Sequence, residues 1–128
     1  MRYRSKKELM KRDPDLIRTI LLKVEASDDG VDTSDFYEDD FNLEQVGYHV
    51  LLLDEAGFID AVCHTADNRV LGFWIKRLTW QGHEFVEAAK NETAWRKVKE
   101  KMLQTGGFTI ELAKPLLIEF IKQQLGLP

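Results

Sequence analysis

The histidine and cysteine side chains of this sequence, the usual ligands of zinc, are His49, Cys63, His64 and His83. Cys63 and His64 are neighbours in a segment whose pattern predicts a β-strand, so their side chains point to opposite faces and cannot easily share one ion. The sequence contains neither a Cys-x-x-Cys nor a His-Glu-x-x-His pattern, which are typical of zinc sites. We therefore expect no metal site.

Nucleophilic catalysis needs a Cys or Ser beside a His that is oriented by an acid, and no motif of the sequence places such a set together. We therefore predict a protein that is not an enzyme and has no cofactor. Cys63 is interpreted as a buried structural residue. A single cysteine cannot form an intrachain disulfide, which favours a reducing, cytoplasmic location. No apolar run approaches the ~18 residues of a membrane span, so no membrane contact is expected.

Three tryptophans, Trp74, Trp80 and Trp95, are candidates for stacking against nucleic-acid bases. Their spacing in predicted strands and helices is more typical of core residues, and we predict that they lie in the core.

The formal net charge of -4 hides a segregation along the chain. Residues 1–23 carry a net charge of +5, and residues 69–128 a net charge of +4. Residues 24–68 contain thirteen Asp or Glu and no Lys or Arg. Because phosphate binding depends on Lys and Arg, the middle of the chain is unsuited to nucleic acid.

The elements that position these residues follow from caps and periodicity. Asp13 and Pro14 predict a helix start, and the first helix is expected to end at Ser27–Gly30. The acidic residues 31–41 are interpreted as a loop that can contain a short strand or turn. Asn42 is predicted to cap a helix over residues 43–56 that ends at Gly57. Its predicted inner stripe consists of Leu43, Val46, Val50 and Leu53.

Two strands, residues 58–64 and 70–78, are joined by turn residues and predict a β-hairpin. Thr79 is predicted to cap a helix over residues 80–90 with Trp80 on its apolar side, and Thr93 a helix over residues 94–104. Residues 108–127 are apolar on most sides of a helix, which indicates burial against a partner. We therefore expect a homodimer through the C-terminal helices.

This order of elements predicts an α+β fold, with a winged helix-turn-helix-like core and two extra C-terminal helices. The expected organisation is a basic tail over residues 1–12, a winged-helix-like domain over residues 13–91 and a helical extension over residues 92–128. Met10 is a second candidate start, so either Met1 or Met10 is the native one.

A resemblance supports this fold. The segments Leu53–Ile59 and Leu78–Gly82 resemble bacterial winged-helix regulators, in which a helix ends at Gly and a Leu-Thr-x-x-Gly motif follows the wing. A second resemblance is carried by four segments, namely Met10–Arg18, Tyr48–Leu52, Leu78–Phe85 and Trp95–Lys101. Through them most of the chain resembles a family of small bacterial, phage and prophage proteins, the domain of unknown function 2513. The resemblance implies a phage or prophage setting and no established activity.

The helix over residues 43–56 is the one that reads DNA in a winged helix, yet it contains no Lys or Arg. We therefore expect it to bind protein, through an outer face formed by Gln45, Tyr48, His49 and Leu52. The alternative is a transcriptional regulator that contacts DNA through the basic tail and the wing, with contacts from Arg69, Lys76 and Arg77.

Overall fold

The computed structural model describes residues 11–127. Within them the chain forms five α-helices, a short 3-10 helix and one three-stranded antiparallel sheet. The predicted α+β class is therefore confirmed. The elements are α1 (Pro14–Ala26), β1 (Val31–Asp32), the 3-10 helix Thr33–Phe36, α2 (Leu43–Glu55), β2 (Ile59–Ala66), β3 (Arg69–Leu78), α3 (Trp80–Ala89), α4 (Glu92–Gln104) and α5 (Ile110–Gln124).

The chain divides into two compact units, one up to Gly82 and one from His83 onward. Of the predicted tail, residues 1–12, only Lys11 and Arg12 fall among the described residues. The domain boundary predicted between residues 91 and 92 stays a prediction.

The first unit begins with α1, whose start is fixed as the sequence predicts. The Asp13 carboxylate accepts hydrogen bonds from the backbone N–H groups of Asp15 and Leu16, at 3.0 and 3.2 Å. Proline follows at the first helical position, where its missing N–H costs nothing. Five apolar side chains along one side of α1 are buried: Leu16, Ile17, Ile20, Leu21 and Val24.

The sheet has the order β1-β3-β2. The hairpin of β2 and β3, which we call the wing, turns at Asp67 and Asn68, both of which have positive φ. Such a two-residue turn matches the twist of paired strands. β1 pairs with β3 on its other side, with Val31 opposite Ile75. A helix followed by a hairpin in this sheet is consistent with a winged layout.

The Leu78-Thr79-x-x-Gly82 motif joins the end of the wing to the exit of α2. The Thr79 hydroxyl donates to the Gly57 carbonyl at 2.6 Å and accepts from the Gly82 N–H at 3.2 Å, so the predicted Thr79 cap is confirmed. A Cβ at Gly82 would collide with the Phe58 carbonyl oxygen. Glycine is therefore required where α3 starts beside this strand.

In the second unit, α4 is capped by Asn91, whose side chain accepts from the Ala94 N–H at 2.9 Å. The prediction that Thr93 caps this helix is wrong, because the chain is already helical from Glu92. Trp95 packs edge-on against both Phe85 and Phe108, with ring centroids 6.2 and 5.5 Å apart. These three aromatic rings form the centre of the unit.

The last helix, α5, is less buried than its composition predicts. Its buried residues are Ile110, Ala113 and Leu117. Three other large apolar side chains of the helix are exposed, namely Leu112, Leu116 and Ile118. Across residues 11–127, none of the helices combines the length and apolar character needed to cross a lipid bilayer.

Candidate functional site

The helix α2 is buried on more sides than its sequence suggests. Val46, Val50 and Leu53 lie in the core, as expected. The exposed fractions of Gln45 and His49 are only 5% and 0%. The prediction that these two residues lie on the outer face is therefore wrong. Leu43, expected in the inner stripe, is exposed instead at the first position of the helix.

His49 is buried because its ring links α2 to the start of α1. The backbone N–H of Asp13 donates to His49 Nε2 at 2.8 Å. The other ring nitrogen, Nδ1, lies 2.8 Å from the Gln45 carbonyl oxygen. Since Nε2 accepts a hydrogen bond, it carries no proton, and Nδ1 must be the donor. Both ring nitrogens are thus satisfied only when His49 is neutral.

Burial lowers the pKa of His49, although the Gln45 carbonyl and the Asp13 carboxylate favour the protonated ring. If Nε2 carried a proton, it would be a donor facing another donor, the Asp13 N–H, and that hydrogen bond would be lost. The arrangement therefore keeps the imidazole uncharged and gives His49 a structural role, since it fixes α1 against α2.

The accessible part of α2 is a narrow strip. Tyr48 and Leu52, the other two residues of the predicted face, are half-buried, and Leu51 lies beside them with similar exposure. Glu44 and Glu55 are the charged residues on this side of the helix. We call this strip, formed by Glu44, Tyr48, Leu51, Leu52 and Glu55, the outer face of α2. It combines apolar contact area with negative charge only.

The wing lies against α2 rather than projecting away from it. A Cβ on Gly47 would approach Val70 Cγ1 to 2.9 Å, so glycine allows the strand to pack closely on the helix. Nearby, Arg69 Nε donates to Glu44 Oε1 at 3.2 Å. The Arg69 charge at the wing tip is therefore opposed by a carboxylate of α2.

The three predicted DNA contacts are exposed but do not form one patch. Arg77 makes an ion pair with Asp60 at 2.6 Å, and the Lys76 ammonium lies 5.6 Å from the centre of the Trp74 ring. Because a strand advances about 3.3 Å per residue, β3 places Arg69 more than ~20 Å from Arg77. Lys76 and Arg77 are neighbours in the chain at a register shift between β2 and β3, and both are exposed. Arg69 lies apart from them.

Comparison with known proteins gives this arrangement a family context. The profile of a family described as "Hypothetical protein (DUF2513)" matches residues 11–109. The chain belongs to the DUF2513 family. It is also 40% identical over 92 residues to an uncharacterised protein of Haemophilus influenzae, which covers 70% of this chain and 76% of that protein. No solved structure matches the chain significantly.

The DUF2513 match includes α1, the wing, the whole of α2 and α4, whereas α5 lies beyond residue 109. His49 and the outer face of α2 therefore belong to the part of this DUF2513 chain that the family defines. The same holds for Asp13, the hydrogen-bond partner of His49.

Two of the three tryptophans of this DUF2513 protein are not core residues. Trp95 is buried, as predicted. Trp74 is exposed on the wing, and 78% of Trp80 is exposed at the start of α3. The prediction of a core position is wrong for both, because apolar type alone did not show which side of these elements faces solvent.

The candidate metal ligands stay apart. Cys63 is half-buried on β2, and burial, followed by the Asp54 and Glu55 carboxylates, raises the pKa of its thiol. Its neighbour His64 is exposed. Within residues 11–127 of this DUF2513 chain, no three His, Cys, Asp or Glu side chains are grouped so that they could hold a metal ion.

Proposed function

We propose that this chain is a non-enzymatic winged-helix protein that binds another protein through the outer face of α2. The observation that carries the proposal is the chemistry of this face, in which Tyr48, Leu51 and Leu52 are flanked by Glu44 and Glu55. Apolar and aromatic side chains inside a polar rim are typical of protein interfaces.

The electrostatics of the face support a protein partner over DNA. Residues 24–68, which include all of α2, carry no Lys or Arg. Since DNA affinity comes largely from cations that neutralise phosphates, an acidic helix face opposes close approach to a duplex. The complementary partner is a protein surface with Lys or Arg around an apolar centre.

The position of the wing supports the same conclusion. Val70 packs over Gly47, and Arg69 is paired with Glu44. The wing therefore covers part of the helix that would otherwise enter the major groove. A regulatory or accessory role through protein contact agrees with this geometry, and the phage or prophage setting stays a prediction.

Affinity capture from the native host with the full chain as bait tests the proposal. We expect the double variant Tyr48→Ala/Leu52→Ala to lose the captured protein while its circular dichroism is unchanged. Tyr37→Ala is the matched control, because Tyr37 is an exposed aromatic outside α2. If the double variant captures the same proteins as the control and the wild type, the proposal is overturned.

A second candidate function is DNA binding through the wing and the basic tail. The observation that favours it is the pair Lys76 and Arg77, both exposed on β3 near the exposed Trp74. Arg69→Ala, Lys76→Ala and Arg77→Ala together should then abolish a DNA footprint. A footprint that survives the triple variant would remove this candidate.

The expected homodimer through the C-terminal helices is also a proposal. It concerns the second unit and does not involve α2.

A further inference from the structure

The second unit contains an open groove between α4 and α5. The two helices are antiparallel neighbours, since the Asn91 amide at the start of α4 donates to Gln124 Oε1 at the end of α5, at 3.3 Å. The groove has a volume of about 310 Å³. It is lined by Lys97, Val98, Lys101, Leu116, Glu119, Phe120 and Gln123.

An apolar stripe of α5 borders this groove: Leu116 and Phe120 line its wall, and Leu112 lies one turn before them, outside the lining. Leu112, Leu116 and Phe120 follow one another at four-residue intervals, so they lie on one side of the helix. The exposed fractions of Leu112 and Leu116 are 60% and 39%, and Phe120 is half-buried. This stripe is separate from Ala113 and Leu117, which fill the core of the unit. A row of exposed apolar side chains on one side of a helix is a candidate contact surface.

Charges of both signs line the same groove. Lys97 and Lys101 stand on the α4 wall, and Glu119 stands on the α5 wall. Among residues 11–127, the structure shows no ion pair for any of these three side chains. Each is therefore available to a charge on another molecule.

We propose that a second copy of this chain covers the groove and that the two copies pair through the same surface. A two-fold interface brings one patch against itself and must therefore be self-complementary. This groove meets that condition, because it offers both cations and an anion beside an apolar stripe. About the two-fold axis, the stripes of the two copies cover each other, and Glu119 of each copy faces Lys101 of the other.

A foreign partner is less well matched to this surface. The charged residues of the outer face of α2 are both glutamates, and Arg69 of the wing pairs with one of them, Glu44. The face therefore offers Glu55 to a basic surface and has no matching cation for the Glu55 of a second copy. The groove carries both signs, so a second copy supplies every complementary group. The inference rests on the homodimer proposed above and names the surface of the C-terminal helices that would form it. It uses other residues than the outer face of α2, so either proposal can fail without the other.

Sedimentation velocity of the full chain at physiological salt over a range of concentrations tests the proposal. We expect a dimer whose dissociation constant rises roughly 30-fold or more in Leu116→Glu, the loss typical of a central interface residue. Leu103→Glu is the matched control. Leu103 is 55% exposed on α4 but does not line the groove, so this variant should dimerise like the wild type.

Charge exchange gives a second readout that does not depend on an apolar substitution. Lys101→Glu and Glu119→Lys should each weaken the dimer about fivefold. The double variant should recover it, because the opposite charges meet again across the axis. A wild-type chain that stays monomeric throughout the concentration range would overturn the proposal. A dimer that Leu116→Glu and the charge variants leave unchanged would overturn it as well.

Discussion

The helices α2 and α5 differ in which of their side chains are buried and which are exposed. α2 buries Gln45 and His49, although both are polar. α5 exposes Leu112 and Leu116, although both are apolar. His49 is internal because its two ring nitrogens have hydrogen-bond partners inside the fold, the Asp13 N–H and the Gln45 carbonyl. The leucines of α5 have no such reason for their position within a single copy.

This difference separates structural residues from candidate binding residues. A buried polar side chain whose groups are satisfied fixes two elements against each other. An exposed apolar stripe does not hold two elements together. It stabilises a complex when another surface removes it from water. We therefore assign His49 to folding, and Leu112 and Leu116 are the side chains that the proposed association would cover.

Replacing His49 should have a large effect on stability. His49→Ala removes a fully buried ring and leaves the Asp13 N–H without its acceptor. We expect a loss of about 2–4 kcal/mol in the free energy of unfolding, measured by urea denaturation. The control His64→Ala, at an exposed position on β2, should change it by less than ~0.5 kcal/mol. Equal losses in both variants would contradict the structural role of His49.

The titration of His49 should make stability depend on pH, with a smaller effect than its replacement by alanine. The folded pKa of His49 lies below its usual 6.5, and burial is the main cause. Below pH 6.5 the unfolded chain therefore takes up a proton that the folded chain resists. Stability should be fully present above that pH and fall on acidification, by at most about 1.4 kcal/mol per pH unit.

Urea denaturation between pH 5 and 8 measures this dependence. His49→Gln should remove the loss that starts near pH 6.5, while other titrating groups contribute equally to both proteins. Parallel curves for the wild type and His49→Gln would show that His49 is not the group responsible.

Polar substitution on α5 should have the smallest effect. Leu112 is largely exposed, so Leu112→Ser should change the free energy of unfolding by less than ~0.5 kcal/mol when measured on the monomer. The internal comparison is Leu117→Ala, a fully buried position, which should cost about 2–4 kcal/mol. Similar losses at the two positions would mean that Leu112 supports its own unit.

The sequence predicts the features that depend on neighbouring residues. The caps at Asp13, Asn42 and Thr79, the hairpin turn and the end of α2 at Gly57 are all confirmed. It predicts poorly what depends on distant residues. The acceptor position of His49 requires Asp13, which lies 36 residues earlier in the chain.

Gln45 and His49 directly precede the buried residues Val46 and Val50 on α2. A buried face one residue wider would include both of them, and the sequence allows that prediction. Their polar side chains favour the opposite prediction, an exposed position. The exposure of Trp80 is also not predictable from the sequence, because the first residue of a helix can face solvent whatever its type. The choice of Asn91 over Thr93 depended on where the preceding helix ends.

We propose that the outer face of α2 serves protein recognition and not DNA reading. Fluorescence anisotropy with a labelled DNA duplex, titrated with the full chain at about 0.15 M salt, tests it most directly. We expect the chain to bind the duplex with a dissociation constant of about 10 μM or weaker, and we expect Tyr48→Ala/Leu52→Ala to leave that constant unchanged. Submicromolar binding that this double variant abolishes, while Arg69→Ala/Lys76→Ala/Arg77→Ala leaves it intact, would contradict the claim.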